Sequence, residues 1–373
     1  LLECVSLAAM GTVTDVVPLL DENRLLVKSG LVVLGSRPTA GIKALLNLVG
    51  DVKKRRIDSA LGRYTLDADI IGYQLGPRLN AAGRLGQAGL GVDLLTTEDD
   101  ARAKELAQYL DKLNQDRRTL ENKIVREARQ QAEEKYDPKN DAALILDGYS
   151  WHPGVLGIVA GRLSDRYHRP TIIIANDPTG VKHSIGSCRS IPGFDLHACL
   201  VQCREYLVGF GGHKMAAGLQ ILPDQLDAFR KAFIANAGAC ISDENRTPEL
   251  IIDAEVPLAS LTYDVVNYFY QLAPFGAENP SPILCTCNVH VQSEPRTMGK
   301  EARHLAIQFG HQGVSLRAVA FGMAEQLDAI KAAPALDIAY KPTINTFGGR
   351  AKVELHLLDW KVAGEEDWGQ SGY

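Results

Sequence analysis

Three segments of this 373-residue sequence gather side chains that can hold an anion. In "GPRLNAAGRLG" (76–86), Arg78, Asn80 and Arg84 can all donate hydrogen bonds, and Gly83 and Gly86 let backbone amides approach a ligand closely. Guanidinium groups suit bidentate contact with phosphate. In "GYSWHPGVLGIVAGRLSDR" (148–166), His152 stands between a strand end and a helix start. There it can contact a ligand or cap the helix, and helix N-termini attract anions. In "HSIGSCRSIPGFDLH" (183–197), Ser187, Arg189 and Ser190 can donate to a phosphate, and Gly211-Gly212-His213 of "GFGGHKMAAG" (209–218) can close over it. The glycines also suit plain tight turns. Neither a GxxxxGK[ST] loop nor a GxGxxG opening a helix occurs. A fourth segment, "MGTVTDVVPL" (10–19), sets one acid, Asp15, among apolar residues. Burial is expected there, and a buried lone carboxylate is costly unless paired, hydrogen-bonded or bound to a metal.

The elements that must position these groups fall into distinct patterns. Residues 1–96 read as mixed, mostly helical structure. Residues 7–17 suit a strand or a buried helix end, 21–34 and 41–49 suit helices, and 72–91 is Gly/Pro-rich and loop-like. Thr97 can cap a helix whose first turn holds Glu98, Asp99 and Asp100. Leu106, Leu110, Leu113, Leu120 and Ile124 keep helical spacing, and no Gly or Pro interrupts 98–136. Unbroken, that helix would be about 55 Å long. It suits a spacer between domains or an ordinary long core helix. Strands at 142–146, 171–175 and 185–190 alternate with helices at 154–166, 196–206 and 226–237, an α/β pattern. Beyond Thr247-Pro248, β-like runs at 251–256, 283–292, 305–309, 315–321, 337–342 and 352–358, with a helix at 323–332, suggest a small barrel.

Net charge is −5, which argues against a uniformly basic coat but not against a local basic cleft. The run Lys53-Lys54-Arg55-Arg56 reads as a solvated face. Seven cysteines without a CxxC pair indicate neither a disulfide framework nor a zinc ribbon, and a reducing cytoplasm is expected. No apolar run reaches membrane-spanning length, so no membrane is expected.

Taken in order, "AAMGTVTDVVPL", "GPRLNAAGRLG", "WHPGVLGIVAGRL", "GSCRSIPGFDLH" with "GFGGHKMAAGL", and "PFGAENPSP" resemble the RecJ exonuclease family of the DHH phosphoesterase superfamily. The resemblance implies an α/β multidomain chain. It divides into the C-terminal part of a DHH domain (1–96), a connecting helix (97–137), a DHHA1 domain (138–246), an OB-fold (247–362) and a tail (363–373). It implies a single-stranded-DNA-specific 5′-to-3′ exonuclease of DNA repair and recombination, dependent on Mn²⁺ or Mg²⁺. Asp15 would be a catalytic metal ligand. Arg78, Asn80 and Arg84 would grip phosphates near the metal. Ser187, Arg189, Ser190 and His213, with His152 beside them, would bind the 5′ end. Tyr263, Tyr268, Phe269, Phe275 and Phe321 are aromatic candidates for stacking bases in the OB-fold.

The family's other metal motifs, an Asp-x-Asp, a further Asp and a DHH triplet, have no counterpart in place. Asp67-Ala68-Asp69 falls too late in the order. The expectation is therefore a fragment that is inactive alone. Cys188 stands where the family often has glycine, which puts the local backbone angle in question. Besides single-stranded DNA, the resemblance implies a single-strand-binding protein and a helicase as partners. Two alternatives stay open. One is a DHH/DHHA1 phosphodiesterase of short oligonucleotides or cyclic dinucleotides, and the other a non-catalytic single-strand-binding homologue.

Overall fold

A computed structural model describes residues 2–49, 66–137, 140–177, 179, 182–242, 244–299, 301–346 and 349–364; the basic run at 53–56 lies outside them. The chain forms two compact units. One comprises Leu1–Pro77, Leu94–Ala107 and Leu250–Tyr373, and the other Arg78–Asp93 and Gln108–Glu249.

The chain opens with α1 (Leu2–Thr14), α2 (Asp21–Ser36) and α3 (Ala40–Val49), then a π-helical turn at Ile70–Leu75. Residues 7–14 are thus helical, not a strand. The segment 72–91, expected as a loop, is also largely helical, with α4 at Gly76–Arg84 and α5 at Gly89–Thr96. α4 continues directly from the π-helical turn, with Gly76 N donating to Ile71 O across the junction. Ile71, Leu75 and Ala82 bury one helical side. Glycine and proline content misled because position within the helix matters more than composition.

Helix α6 (Asp100–Lys135) runs unbroken for 36 residues, about 54 Å at 1.5 Å per residue. Its cap is Asp99 rather than Thr97. The Asp99 carboxylate accepts from Ala101 N at 2.8 Å and Arg102 N at 3.3 Å, while the Thr97 hydroxyl accepts from Asp99 N. Within the second unit, Ile124, Ala128 and Ala132 of α6 pack into a core with the sheet, so this half is a core helix.

That sheet is built from β1 (Leu144–Tyr149), β2 (Thr171–Asn176), β3 (Ser184–Arg189), β4 (Leu207–Gly212) and β5 (Ala216–Ile221), with α7 (Pro153–Tyr167), α8 (Leu196–Gln202) and α9 (Leu226–Cys240). The strand order is β1-β2-β3-β5-β4. β1 and β2 are parallel through α7, and the remaining pairs are antiparallel. Period-two alternation divides the strands between two cores. Leu144, Leu146, Ile173 and Ala175 face α7 and α6. Ile145, Ile172, Ile174, Cys188 and Leu219 face Phe229 and Phe233 of α9 and Leu200 of α8. β4 and β5 occupy the glycine-rich stretch expected to be a closing loop. The signal for β5 was present in Ala217, Leu219 and Ile221, which alternate and are buried.

The chain ends in β6 (Ala254–Glu255), α10 (Tyr263–Phe269), β7 (Leu284–Val291), β8 (Arg296–Met298), β9 (His304–His311), β10 (Val314–Ala320), α11 (Leu327–Ala332), β11 (Leu336–Asn345) and β12 (Lys352–Val362). The order β7-β11-β12-β10-β9 closes because β9 also pairs with β7, giving a five-stranded barrel with β6 and β8 at its margins. Leu284, Val289, Ile307, Phe309, Ile338, Tyr340 and Leu355 fill it. The one hydroxyl among them, of Tyr340, meets the Thr286 hydroxyl at 2.7 Å, which satisfies a polar atom in an apolar core. Within the first unit the barrel's approach segment is fastened to α2 and the residues just before it: Leu19 N donates to Ala277 O and Arg24 of α2 to Leu272 O, both at 2.8 Å. Asn279 of "PFGAENPSP" braces that segment by donating to Leu272 O and Pro274 O. Among the described residues no helix is long and apolar enough to cross a membrane.

Candidate nucleic-acid interface

The second unit brings several of the expected donors together at the start of α7. Pro153 occupies the first turn, and His152 precedes it as the N-cap. Its Nδ1 accepts from Gly154 N at 3.1 Å, so His152 does cap the helix. Helix α4 ends against this point. A Cβ at Gly154 would stand 2.1 Å from the Arg84 carbonyl oxygen, so only glycine permits the approach. The Arg84 guanidinium donates back to Gly154 O at 3.3 Å. Asn80 lies one turn earlier on α4, exposed and on the same face as Arg84.

β3 supplies the second half. Ser187 and Arg189 are two residues apart and so share a sheet face, the one covered by α7. Both side-chain tips rest against Gly157: a Cβ there would meet Arg189 Nη2 at 2.9 Å and Ser187 Oγ at 3.1 Å. Arg189 is half-buried and donates to the Cys188 carbonyl at 2.8 Å. Burial lowers its pKa and the Arg84 cation lowers it further, with the Cys188 thiol acting in the other direction. Neither Arg84 nor Arg189 forms an ion pair with a described carboxylate. Two guanidinium groups held near each other without an acid, beside a helix N-terminus, make a site that favours an anion.

Beyond Ser187 the sheet offers a shelf without side chains. Ser187 pairs with Gly218 of β5, and Gly218 with Gly211 of β4. Gly211 and Gly218 are exposed, and a Cβ at Gly211 would meet nothing within 4 Å. His213 is exposed in the β4–β5 turn, its backbone N donating to Ala216 O at 2.8 Å.

Other expected donors are committed elsewhere. Ser190 is buried, and its hydroxyl donates to Phe194 O at 2.9 Å, bracing the 191–194 turn. Arg78 Nε donates to Asp111 at 2.8 Å. Cys188 sits in β3 between Ile172 and Ala217 with its side chain fully buried, so the strand accepts it. Burial pushes its thiol up to about 12. A separate polar cleft beyond the ends of β1 and β2 contains Arg230, but Asp147 and Asp227 hold that cation at 2.7 Å each.

Asp15 belongs to the first unit. Burial was expected, yet it is exposed: α1 stops at Thr14, and Val16, at φ 56°, turns the chain outward. Among the described residues no grouping of three metal-ligating side chains includes it. Asp15 thus offers one carboxylate of the several oxygen ligands that a divalent ion takes.

On the barrel, Phe321 is 55% exposed and lies between His304 and His356, each ring centroid 5.3 Å from its own. Gly322 N donates to His304 Nδ1 and fixes that ring. Burial lowers the His356 pKa, and the Lys341 charge lowers it further, which favours the uncharged imidazole. Tyr263 and Tyr268 are exposed on α10, Phe275 is half-buried, and Phe269 packs on the barrel core. Sequence reasoning missed both histidines, because only the register of β9, β10 and β12 brings them to Phe321.

A DHHA1 domain model matches residues 140–239 and a RecJ OB domain model matches residues 252–359. The single-stranded-DNA-specific exonuclease RecJ of Bacillus subtilis is 33% identical over 362 residues, covering 97% of this chain and 44% of that protein. The RecJ of Dickeya dadantii is 35% identical, covering 95% of this chain and 60% of its own length. Nearly all of this chain is similar to RecJ proteins. It spans about half the length of the RecJ relatives it matches. A crystal structure of Thermus thermophilus RecJ with Mg²⁺ superposes at TM-score 0.80 with 31% identity, covering 96% of this chain and 52% of that one. A structure of exonuclease RecJ bound to manganese covers 66% of this chain and 57% of its own, at 35% identity and TM-score 0.54. Divalent metals thus accompany the RecJ fold in those proteins.

Proposed function

We propose that this chain is the strand-holding portion of a metal-dependent, single-strand-specific 5′-to-3′ exonuclease. One observation carries the reading: Arg84, Arg189 and Ser187 converge at the N-terminus of α7 with no described carboxylate paired to either guanidinium. This pocket receives the 5′-terminal phosphate. Asn80 and His213 lie at its margins, and His152 orients it by capping the helix. Arg78, held by Asp111, and Ser190, held by Phe194 O, are positioning residues. The glycine shelf at Gly211 and Gly218 lets the backbone of a strand lie flat beside Ser187. In the barrel, His356 and His304 flank Phe321 as a surface on which a base stacks. The chain divides into DHH-type residues 1–96, a connecting helix 97–137, a DHHA1 domain 138–246 and an OB-fold 247–362. A bound divalent ion would activate water and stabilise the leaving oxygen in the whole enzyme. Asp15 would contribute one carboxylate to it. The presence of an extended strand-binding barrel favours long single strands over short oligonucleotides or cyclic dinucleotides.

The test is Arg189→Ala with 5′-phosphorylated and 5′-hydroxyl single strands titrated at fixed salt. A charge-assisted contact is worth about 1.5–3 kcal/mol, so the phosphorylated strand should lose about tenfold or more in affinity. The hydroxyl strand should lose much less. Equal loss for both would remove the terminal-phosphate pocket.

A further inference from the structure

The barrel carries a cluster of potential metal ligands that the nucleic-acid reading does not use. Cys285 and Cys287 lie two residues apart on β7, so both point to one face of the strand. The intervening Thr286 points the other way, its hydroxyl donating to Val256 O at 2.7 Å and meeting Tyr340 in the core. Glu255 of β6 pairs in parallel register with Cys285 and shares its face. The Glu255 carboxylate oxygen and the two sulfurs all lie within 4.8 Å of one another. Asp337 of β11 is buried on this same outer face. It alternates with core residues Leu336 and Ile338, and Cys285 pairs with its neighbour-but-one Ala339. Its Oδ1 accepts from Asn288 N at 2.8 Å.

We propose that Glu255, Cys285 and Cys287 form a zinc-class metal site on the outer face of the barrel, with Asp337 or water as fourth ligand. Two thiols and one carboxylate meet here, and Asp337 stands nearby with Lys361 4.0 Å from it. A thiol that coordinates a divalent cation gives up its proton. Each ion bound therefore releases two thiol protons to solvent and forms two metal–sulfur bonds and at least one metal–oxygen bond. Zn–S bonds of about 2.3 Å and Zn–O bonds of about 2.0 Å place tetrahedral ligand atoms roughly 3.5–3.8 Å apart. The ligand atoms need to close by no more than about 1 Å, and the exposed Glu255 side chain can supply much of that movement. Two thiolates select zinc over Mg²⁺ or Mn²⁺, so the site is chemically separate from any hard-metal centre. Bound metal would tie the two-residue strand β6 to β7. The proposal depends on the barrel alone and is independent of the exonuclease reading.

The experiment uses the whole chain, stripped of metal by a chelator and titrated with Co²⁺, then with Zn²⁺. The expected result is one Co²⁺ per chain with a thiolate-to-cobalt charge-transfer band. Zn²⁺ should displace it and excess Mg²⁺ should not. About two protons should be released per ion. Cys287→Ser should abolish the band, and Cys240→Ser, at an exposed cysteine on α9, should leave it. Glu255→Gln alters an exposed side chain and should weaken Co²⁺ binding at least tenfold in a chain that still melts cooperatively. No band, a band that survives Cys287→Ser, or unchanged affinity in Glu255→Gln would overturn the site.

Discussion

Replacing Gly157 with alanine separates the anion pocket from the stability of the domain around it. Gly157 is in the middle of α7, and its new Cβ would stand 2.9 Å from Arg189 Nη2 and 3.1 Å from Ser187 Oγ. Ordinary contact needs about 3.5 Å or more. Both neighbours are side-chain tips, so they retreat by about half an ångström while the strand stays in place. Alanine in a helix interior gains about 1 kcal/mol over glycine. One side chain turned about 30° off its rotamer costs about 0.5–1.5 kcal/mol, and a shift this small sits at the low end, so the two together cost about 1 kcal/mol. Net stability therefore changes by no more than about 0.5 kcal/mol in either direction. Binding is different. Losing half of a charge-assisted contact worth about 1.5–3 kcal/mol weakens the 5′-phosphorylated strand about four- to tenfold. Fluorescence anisotropy with the two strand types measures the binding, and urea midpoints measure the stability. Unaltered discrimination between phosphate and hydroxyl ends, in a protein of unaltered stability, would show that the pocket at Gly157 does not hold the terminal phosphate.

Phe321→Ala should weaken single-strand binding by about 1–3 kcal/mol with the salt slope unchanged, since stacking is lost and no charge is. A change in slope with intact affinity would contradict this. Glu121, 1% exposed, bonds Arg117 and Arg162 at 2.8 Å each; Glu121→Gln strands a buried guanidinium and should cost up to about 3 kcal/mol in urea denaturation, and a loss below about 0.5 kcal/mol would mean solvent already compensates the pair. His356 has a folded-state pKa below that of an unfolded histidine, because of burial and Lys341, even with Glu354 at 4.0 Å. The unfolded chain takes up the proton first as pH falls, so His356 contributes stability above about pH 6.5 that is lost below it. His356→Asn should flatten the acid limb of the stability profile, and an identical limb in both proteins would assign that loss to other groups.

The long helix was legible because thirty-odd residues without glycine or proline, with leucines at helical spacing, leave few other options. Its cap was placed two residues early because Thr97 and Asp99 both cap well, and only backbone geometry chooses between them. The barrel was legible as a set of short strands, but not its closure, which depends on β9 pairing with β7. At the anion pocket the residue types were visible and their allocation was not. Ser187, Arg189 and Ser190 look equivalent in sequence. Yet Ser187 and Arg189 share the parity of the strand, and Ser190 follows its end and is spent on the Phe194 carbonyl. Asp15 looked buried because valines flank it, but Val16 is itself 71% exposed in a turn.

The alternation along β3 has a consequence for folding fidelity. Cys188 is wedged into the α9-side core between Ser187 and Arg189, which face α7. A strand that slipped by one residue would exchange every side chain across the sheet. It would drive the Arg189 guanidinium among Phe229, Phe233 and Leu219 and expose the thiol. That misassembly carries the cost of an unpaired charge in an apolar core. A chain that has folded its core has therefore already aimed its guanidinium, and the pocket needs no separate proofreading. Quality control of the hydrophobic layer becomes quality control of ligand recognition.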